Sequence, residues 1–163
     1  MGKLSIICGP AGAGKSTYGR KWAAETGACL LDSDTVTEPV VRAGMSLGGL
    51  DPNDRDSPEY RAAFRDPVYE SLFAVAGENL KHADVILVGP FTSEIRDPKW
   101  PEKLRERFGA EVELIFVRCD DDERHRRIEN RGNPRDLSKL ADWQGFLAKS
   151  GSEAPVFEHR VVR

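Results

Sequence analysis

The run Gly9-Pro10-Ala11-Gly12-Ala13-Gly14-Lys15-Ser16 has the spacing G-x-x-x-x-G-K-S, and Thr17 follows directly. Glycines at this spacing let the backbone fold tightly and aim successive N–H groups at one point, while a helix that begins just after the loop adds its positive end. Such a cradle binds phosphate. Gly9, Ala11, Gly12, Ala13 and Gly14 are expected to supply its backbone, Lys15 to reach the beta and gamma phosphates of a nucleotide, and Thr17 to add a hydroxyl. Ser16 is expected to hold Mg2+, a hard cation that prefers oxygen. ATP and Mg2+ are the expected ligands.

Asp32 and Asp34 stand two positions apart, so at the end of an extended strand both can face one site. Asp32 is expected to assist Ser16 with the metal. Asp34, nearer the loop mouth, is expected to take the proton of an attacking hydroxyl as general base. The competing assignment has Asp34 only capping the next helix and Asp32 solvated.

Arg124, Arg127 and Arg131 fall at helical i, i+3 and i, i+4 spacing, with Arg135 beyond the break at Gly132-Asn133-Pro134. Arg127 and Arg131 share a face. On a lid spanning about residues 124–137 they would stabilise the charge of a phosphoryl group in flight, and closure would exclude water. Arg127 is also placed to stack on adenine. The alternative is a solvated helix in which Glu123 and Glu129 offset the arginines. Arg42, Arg65 and Arg96, with Arg61, flank the region where an acceptor would sit; Arg42, Arg65 and Arg96 are the substrate-binding candidates, each equally able to serve as a surface charge or cap.

These residues need a scaffold. Apolar runs at 4–8, 29–31, 84–89, 112–117 and 156–162 predict five strands, the inner ones buried on both faces. Between them, helices are predicted over 15–26, 35–43, a segment opening at Asp66-Pro67, 101–108 and 124–131, with another carrying Leu137, Leu140, Phe146 and Leu147. Val68, Leu72, Val75, Ala76 and Leu80 form the expected apolar face of the helix after Asp66. Gly44 to Pro58 has the Gly, Pro and Asp density of a loop and is the expected substrate flap. The alternation implies an α/β, three-layer fold: a five-stranded parallel sheet with helices on both faces and a small arginine-rich lid, all in one domain over 1–163.

Composition narrows the function. With 39% hydrophobic and 31% charged residues and a net charge of -3, the chain reads as a soluble globular domain without the basic excess of a nucleic-acid surface. Cys8, Cys29 and Cys119 show no C-x-x-C spacing, and His82, His125 and His159 no ligand spacing with them, so buried reduced thiols are expected rather than zinc. No apolar run reaches membrane-spanning length, and a cytoplasmic location is expected. Oligomeric state is not readable.

The chain resembles the small P-loop kinases related to gluconate kinase, shikimate kinase, polynucleotide kinase and zeta-type toxins. The resemblance rests on G-P-A-G-A-G-K-S-T at 9–17, D-S-D-T at 32–35, V-I-L-V-G-P at 85–90 and R-R-I-E-N-R-G-N-P-R-D at 126–136. It implies an ATP-dependent phosphotransferase with Asp34 acting on the acceptor hydroxyl and Arg127 and Arg131 as lid arginines. Two departures stand out. Thr37 occupies the position where polynucleotide kinases carry an arginine for the acceptor phosphate, and the third strand ends without the acidic residue of a Walker B motif. The expected acceptor is a small-molecule hydroxyl, as of a sugar or alcohol; a polynucleotide 5'-hydroxyl or sugar nucleotide is the alternative, and a non-catalytic ATP-binding module the alternative of another class.

Overall fold

The computed structural model describes residues 1–150 and 153–163. Five parallel strands, β1 (Leu4–Cys8), β2 (Cys29–Asp32), β3 (Val85–Val88), β4 (Val112–Val117) and β5 (Arg160–Val162), form one sheet in the order β2-β3-β1-β4-β5. β1 is central. Its Ile6 is in register with Leu87 on one side and Leu114 on the other.

Alternation along β1 divides the core between the two faces. Leu4, Ile6 and Cys8 pack with Leu72, Phe73, Ala76 and Leu80 of the helical segment α4 (Asp66–Asn79 and the residue after it) and with Trp100 and Leu104 of α5 (Trp100–Phe108). Ile7, Ile86 and Ile115 face the other way, against Tyr18, Trp22 and Ala23 of α1 (Lys15–Thr26). Each fully buried Ile or Leu contributes about 1.5–3 kcal/mol, so the two faces together hold the strand ends in place. Glycines in left-handed conformation close α1 at Gly27 and α5 at Gly109.

Several boundaries differ from the sequence expectations. α2 spans Ser33–Leu47, well beyond 35–43, and takes in the first residues of the expected flap, 44–58. Gly44 is helical: a Cβ there would lie 2.8 Å from the Phe64 ring, so the glycine admits a close aromatic contact rather than a turn. Asp66 does not cap a helix. The helical run begins at α3 (Pro58–Tyr60), where Ser57 Oγ accepts from the Tyr60 N–H, and passes through a π-helical turn, Arg61–Arg65, into α4. Pro67 lacks the N–H that an α-helical ladder would aim at the carbonyl four residues back, which suits a widened turn just upstream. On α4, Phe73 is buried and Val75 is 37% exposed, so Val75 lies off the apolar face.

The last strand is shorter than 156–162. Val156 donates its N–H to the Ile95 carbonyl, and Phe157 turns in against Trp100, so the chain joins the sheet only at Arg160. The expected lid, about 124–137, falls on α6 (Asp121–Arg131) and a 3-10 turn, Pro134–Asp136; α7 (Leu137–Ala141) and α8 (Trp143–Ser150) follow it. Cys8 is buried, Cys29 and Cys119 are half-buried, and all three are free. Among the described residues no helix is long and apolar enough to cross a membrane.

Candidate active site

The C-terminal ends of β1, β2 and β3 open into one cleft of about 1580 Å³. Single-ligand sites run to roughly 300–1,000 Å³, so this cleft has room for two molecules side by side. Its floor is the glycine-rich loop. Gly9, Gly12 and Gly14 all have positive φ, and Gly14, at the head of α1, carries no side-chain cap. The first N–H groups of that helix are thus left for an anion. A Cβ on Gly12 would sit 2.9 Å from the Arg124 carbonyl, so α6 rests directly on the loop.

Lys15 is half-buried and donates to the Pro10 carbonyl at 2.9 Å. Burial lowers its ammonium to about 8, against the opposing pull of Asp34, Cys8 and Asp32. Beside it, burial pushes the Cys8 thiol up to about 12, and its Sγ donates to the Ile115 carbonyl. Cys8 is therefore a packing residue rather than a nucleophile.

The two aspartates have exchanged their competing structural parts. Asp32, not Asp34, caps α2: its Oδ1 accepts from the Asp34 and Thr35 N–H groups at 3.0 and 3.5 Å. Asp32 is buried rather than solvated, and its Oδ2 has no hydrogen-bond partner. A buried carboxylate oxygen without a donor is satisfied by a cation or a water. Among the described residues no cluster of three metal-ligating side chains forms, so a cation here would rest on Ser16 and Asp32 and take its remaining oxygens from phosphate and water. That sparse set fits Mg2+, which keeps several waters. Asp34 projects into the cleft with its side chain 66% exposed, and Arg135 approaches it at 3.3–3.4 Å.

The lid arginines divide into three kinds. Arg127 donates from Nη1 to the Ala13 carbonyl at 3.2 Å and from Nε to Glu123 at 2.8 Å, which raises its pKa and places it on the phosphate loop. Arg131 lines the cleft and is tethered through Nε to Asp136. Burial works against the charge on Asp136, but hydrogen bonds from Arg131 and Lys139 hold its carboxyl below the usual range. Arg124 is different: it is fully buried, donates from Nε to the Ala11 carbonyl at 2.9 Å, and lies 5.6 Å from the Trp143 ring centroid. It straps the lid to the loop.

Of the proposed acceptor arginines, two line the cleft. Arg65 donates from Nη2 to both Glu94 carboxylate oxygens, at 2.7 and 2.9 Å, and Arg96 pairs with Glu153. Arg42 does not line it; the helical phase of α2 turns Arg42 outward, where it donates to Asn53 at 2.6 Å. Residues not singled out from sequence complete this half: Glu38 of α2, Arg55 of the flap, and Tyr60, over whose ring Arg55 stands at 5.2 Å. Glu38 sits four residues after Asp34, one helical turn on, and that spacing is the signal by which it was findable.

A phosphate loop closes the central strand of a 2-3-1-4-5 parallel sheet, with α6 resting on it, and together with the sequence relatives this places the molecule among the small P-loop kinases. The chain belongs to the AAA_33 family, described as an AAA domain, whose model matches residues 4–149. A shikimate kinase of Bradyrhizobium diazoefficiens is 30% identical over 161 residues, spanning 98% of this chain and 70% of the relative. The fold is shared with an unliganded sugar kinase from a Janibacter species (TM-score 0.63, 19% identity, 99% of this chain and 85% of that one). It is also shared with shikimate kinase from Acinetobacter baumannii in complex with shikimate (TM-score 0.58, 19% identity, 100% of this chain and 83% of that one).

Proposed function

We propose that the protein transfers the gamma-phosphoryl group of ATP to a hydroxyl of a small molecule such as a sugar or alcohol. The observation that carries this reading is Asp34, an exposed carboxylate opening into the same cleft as Lys15 and electrostatically coupled to it. Loop N–H groups and Lys15 hold the phosphates. The acceptor hydroxyl enters from the side of Arg65 and Arg96 and gives its proton to Asp34 as its oxygen forms the new bond to phosphorus. The bond from phosphorus to the bridging oxygen breaks, and ADP leaves with the electron pair. Arg127 and Arg131 stabilise the equatorial oxygens of the phosphoryl in flight. Mg2+, when held by Ser16 and Asp32, neutralises charge on the phosphates.

A small-molecule hydroxyl suits this cleft better than a polynucleotide end. Position 37, where polynucleotide kinases carry an arginine for the acceptor phosphate, holds Thr37, whose hydroxyl donates to the Ser33 carbonyl at 2.7 Å instead. The test is an ATP-consumption screen over sugars, amino alcohols, nucleosides and 5'-hydroxyl oligonucleotides, with Asp34→Ala as control. One acceptor class should release ADP and become phosphorylated. Tight ATP binding with no phosphorylated product from any pool, and an Asp34→Ala protein indistinguishable from wild type, would leave a binding module instead.

A further inference from the structure

Glu38 accepts hydrogen bonds from two parts of the cleft that are far apart in the chain. Its Oε1 accepts from Arg55 of the flap at 2.9 Å and its Oε2 from Arg135 of the lid at 2.6 Å. All three side chains are largely withdrawn from solvent, at 23% exposure for Glu38, 11% for Arg55 and 14% for Arg135. The contacts of Arg135 to Asp34 are longer, at 3.3–3.4 Å, beyond the range of a good charge-assisted hydrogen bond.

We propose that Glu38 is a positioning residue: it ties flap to lid across the acceptor site and holds the Arg135 guanidinium so that Asp34 stays open to an acceptor hydroxyl. The proposal rests on the phosphotransfer reading of Asp34. The physical argument is competition for one guanidinium. Glu38 and Asp34 lie one helical turn apart on α2 and both face Arg135, but Glu38 is the more enclosed and takes the short bond, while Asp34 stands at 66% exposure. Without the Glu38 charge, Arg135 has only Asp34 to pair with and closes on it. The base is then occupied. At the same time Arg55 loses its carboxylate partner, and the flap loses its link to the lid.

The test compares Glu38→Gln, Arg135→Gln and the combined variant in the full chain, with Mg·ATP as donor and the pooled sugars, amino alcohols, nucleosides and 5'-hydroxyl oligonucleotides of the screen as acceptors. Glu38→Gln is expected to lower the turnover of Mg·ATP by about 10²-fold, the scale of a misplacement near 1 Å, with KM for ATP unchanged. In the Arg135→Gln background the same substitution should lower it no further, because there is no guanidinium left to misplace. Amide hydrogen exchange gives a reading that needs no turnover. Glu38→Gln should speed exchange in both 53–57 and 133–139, and Arg135→Gln should speed it in 53–57, a segment to which Arg135 makes no hydrogen bond among the described residues. Wild-type exchange in 53–57 in the Arg135→Gln protein, fully multiplicative losses in turnover, or a KM for ATP raised in parallel would each overturn the proposal. A wild-type protein that turns over ATP with none of the acceptor pools sinks the phosphotransfer reading, and the exchange result then judges the flap-to-lid tie alone. If Glu38→Gln does not fold, Arg55→Gln and Arg135→Gln probe the tie from its two ends, each expected to loosen the other's segment.

Discussion

Lys15 and Asp34 are separated by α1 and β2 in the chain yet share one electrostatic environment, and each carries a prediction at the scale of a single proton. With Lys15 lowered to about 8 by burial, a polyphosphate that favours its charged form must raise that value on binding. ATP affinity is then constant below about pH 8 and falls by up to about tenfold per pH unit above it, with proton uptake on binding. Calorimetry in buffers of different ionisation enthalpy measures both, and affinity independent of pH from 7 to 9.5 contradicts the expectation. On the proposed mechanism, in which the carboxylate acts on the acceptor and not on the donor, Asp34→Asn should lower kcat by about 10²–10⁴-fold with little change in the Kd for ATP. Rapid-quench turnover against equilibrium binding separates the two. The local motif made Lys15 legible in the sequence because eight consecutive residues build the cradle. The roles of Asp32 and Asp34 were not fully legible, since which of two carboxylates turns back to cap α2 depends on how that helix leaves the sheet.

Two contacts decide how whole elements are held. Arg124 joins α6 to the phosphate loop through the Ala11 carbonyl, and its side chain is fully enclosed. Arg124→Met keeps much of the volume but leaves that carbonyl unpaired, a loss of about 1–3 kcal/mol. At about 2–4 °C per kcal/mol, Tm should fall by about 2–12 °C, with weaker ATP binding as the loop loosens. Calorimetric melting with and without ATP checks both. Gly44→Ala would raise helix propensity on α2 by about 1 kcal/mol, yet the 2.8 Å approach of Phe64 predicts net destabilisation of about 1–3 kcal/mol. A denaturant titration decides the sign, and Phe64→Leu in the same chain should relieve it. A composition rule reads Gly44 as a loop residue. The structure reads it as the point where two helical segments come close.

At the scale of the molecule, the cleft is bounded by the C-terminal ends of the strands, the segment after α2 and the helical segment from α6 onward, so its lining comes from segments far apart in the chain. Ligands that bind only the folded state stabilise it by mass action: Mg·ATP at 100 times its Kd should add about 2.7 kcal/mol, or about 5–11 °C in Tm. Chelating the metal should remove much of that gain if Ser16 and Asp32 hold Mg2+ with the phosphates. A Tm shift identical with and without chelator would argue that ATP binds here without the metal. Differential scanning fluorimetry over an ATP and EDTA grid distinguishes these outcomes.

What the sequence determined by itself was local or periodic. Apolar runs specify buried strands, a glycine-rich octet folds its own backbone into a phosphate cradle, and i, i+3 and i, i+4 spacing puts arginines on one helix. Tertiary structure alone decided which charges meet. Arg135 reaches Asp34 across 101 positions and Glu38 across 97, Arg124 reaches Ala11 across 113, and Arg42 turns away from the cleft. The physical reason is that hydrophobic burial sets the placement of elements with little regard to their polar tips. The pairing of those tips follows from where packing leaves each helix end, and no short-range pattern encodes it.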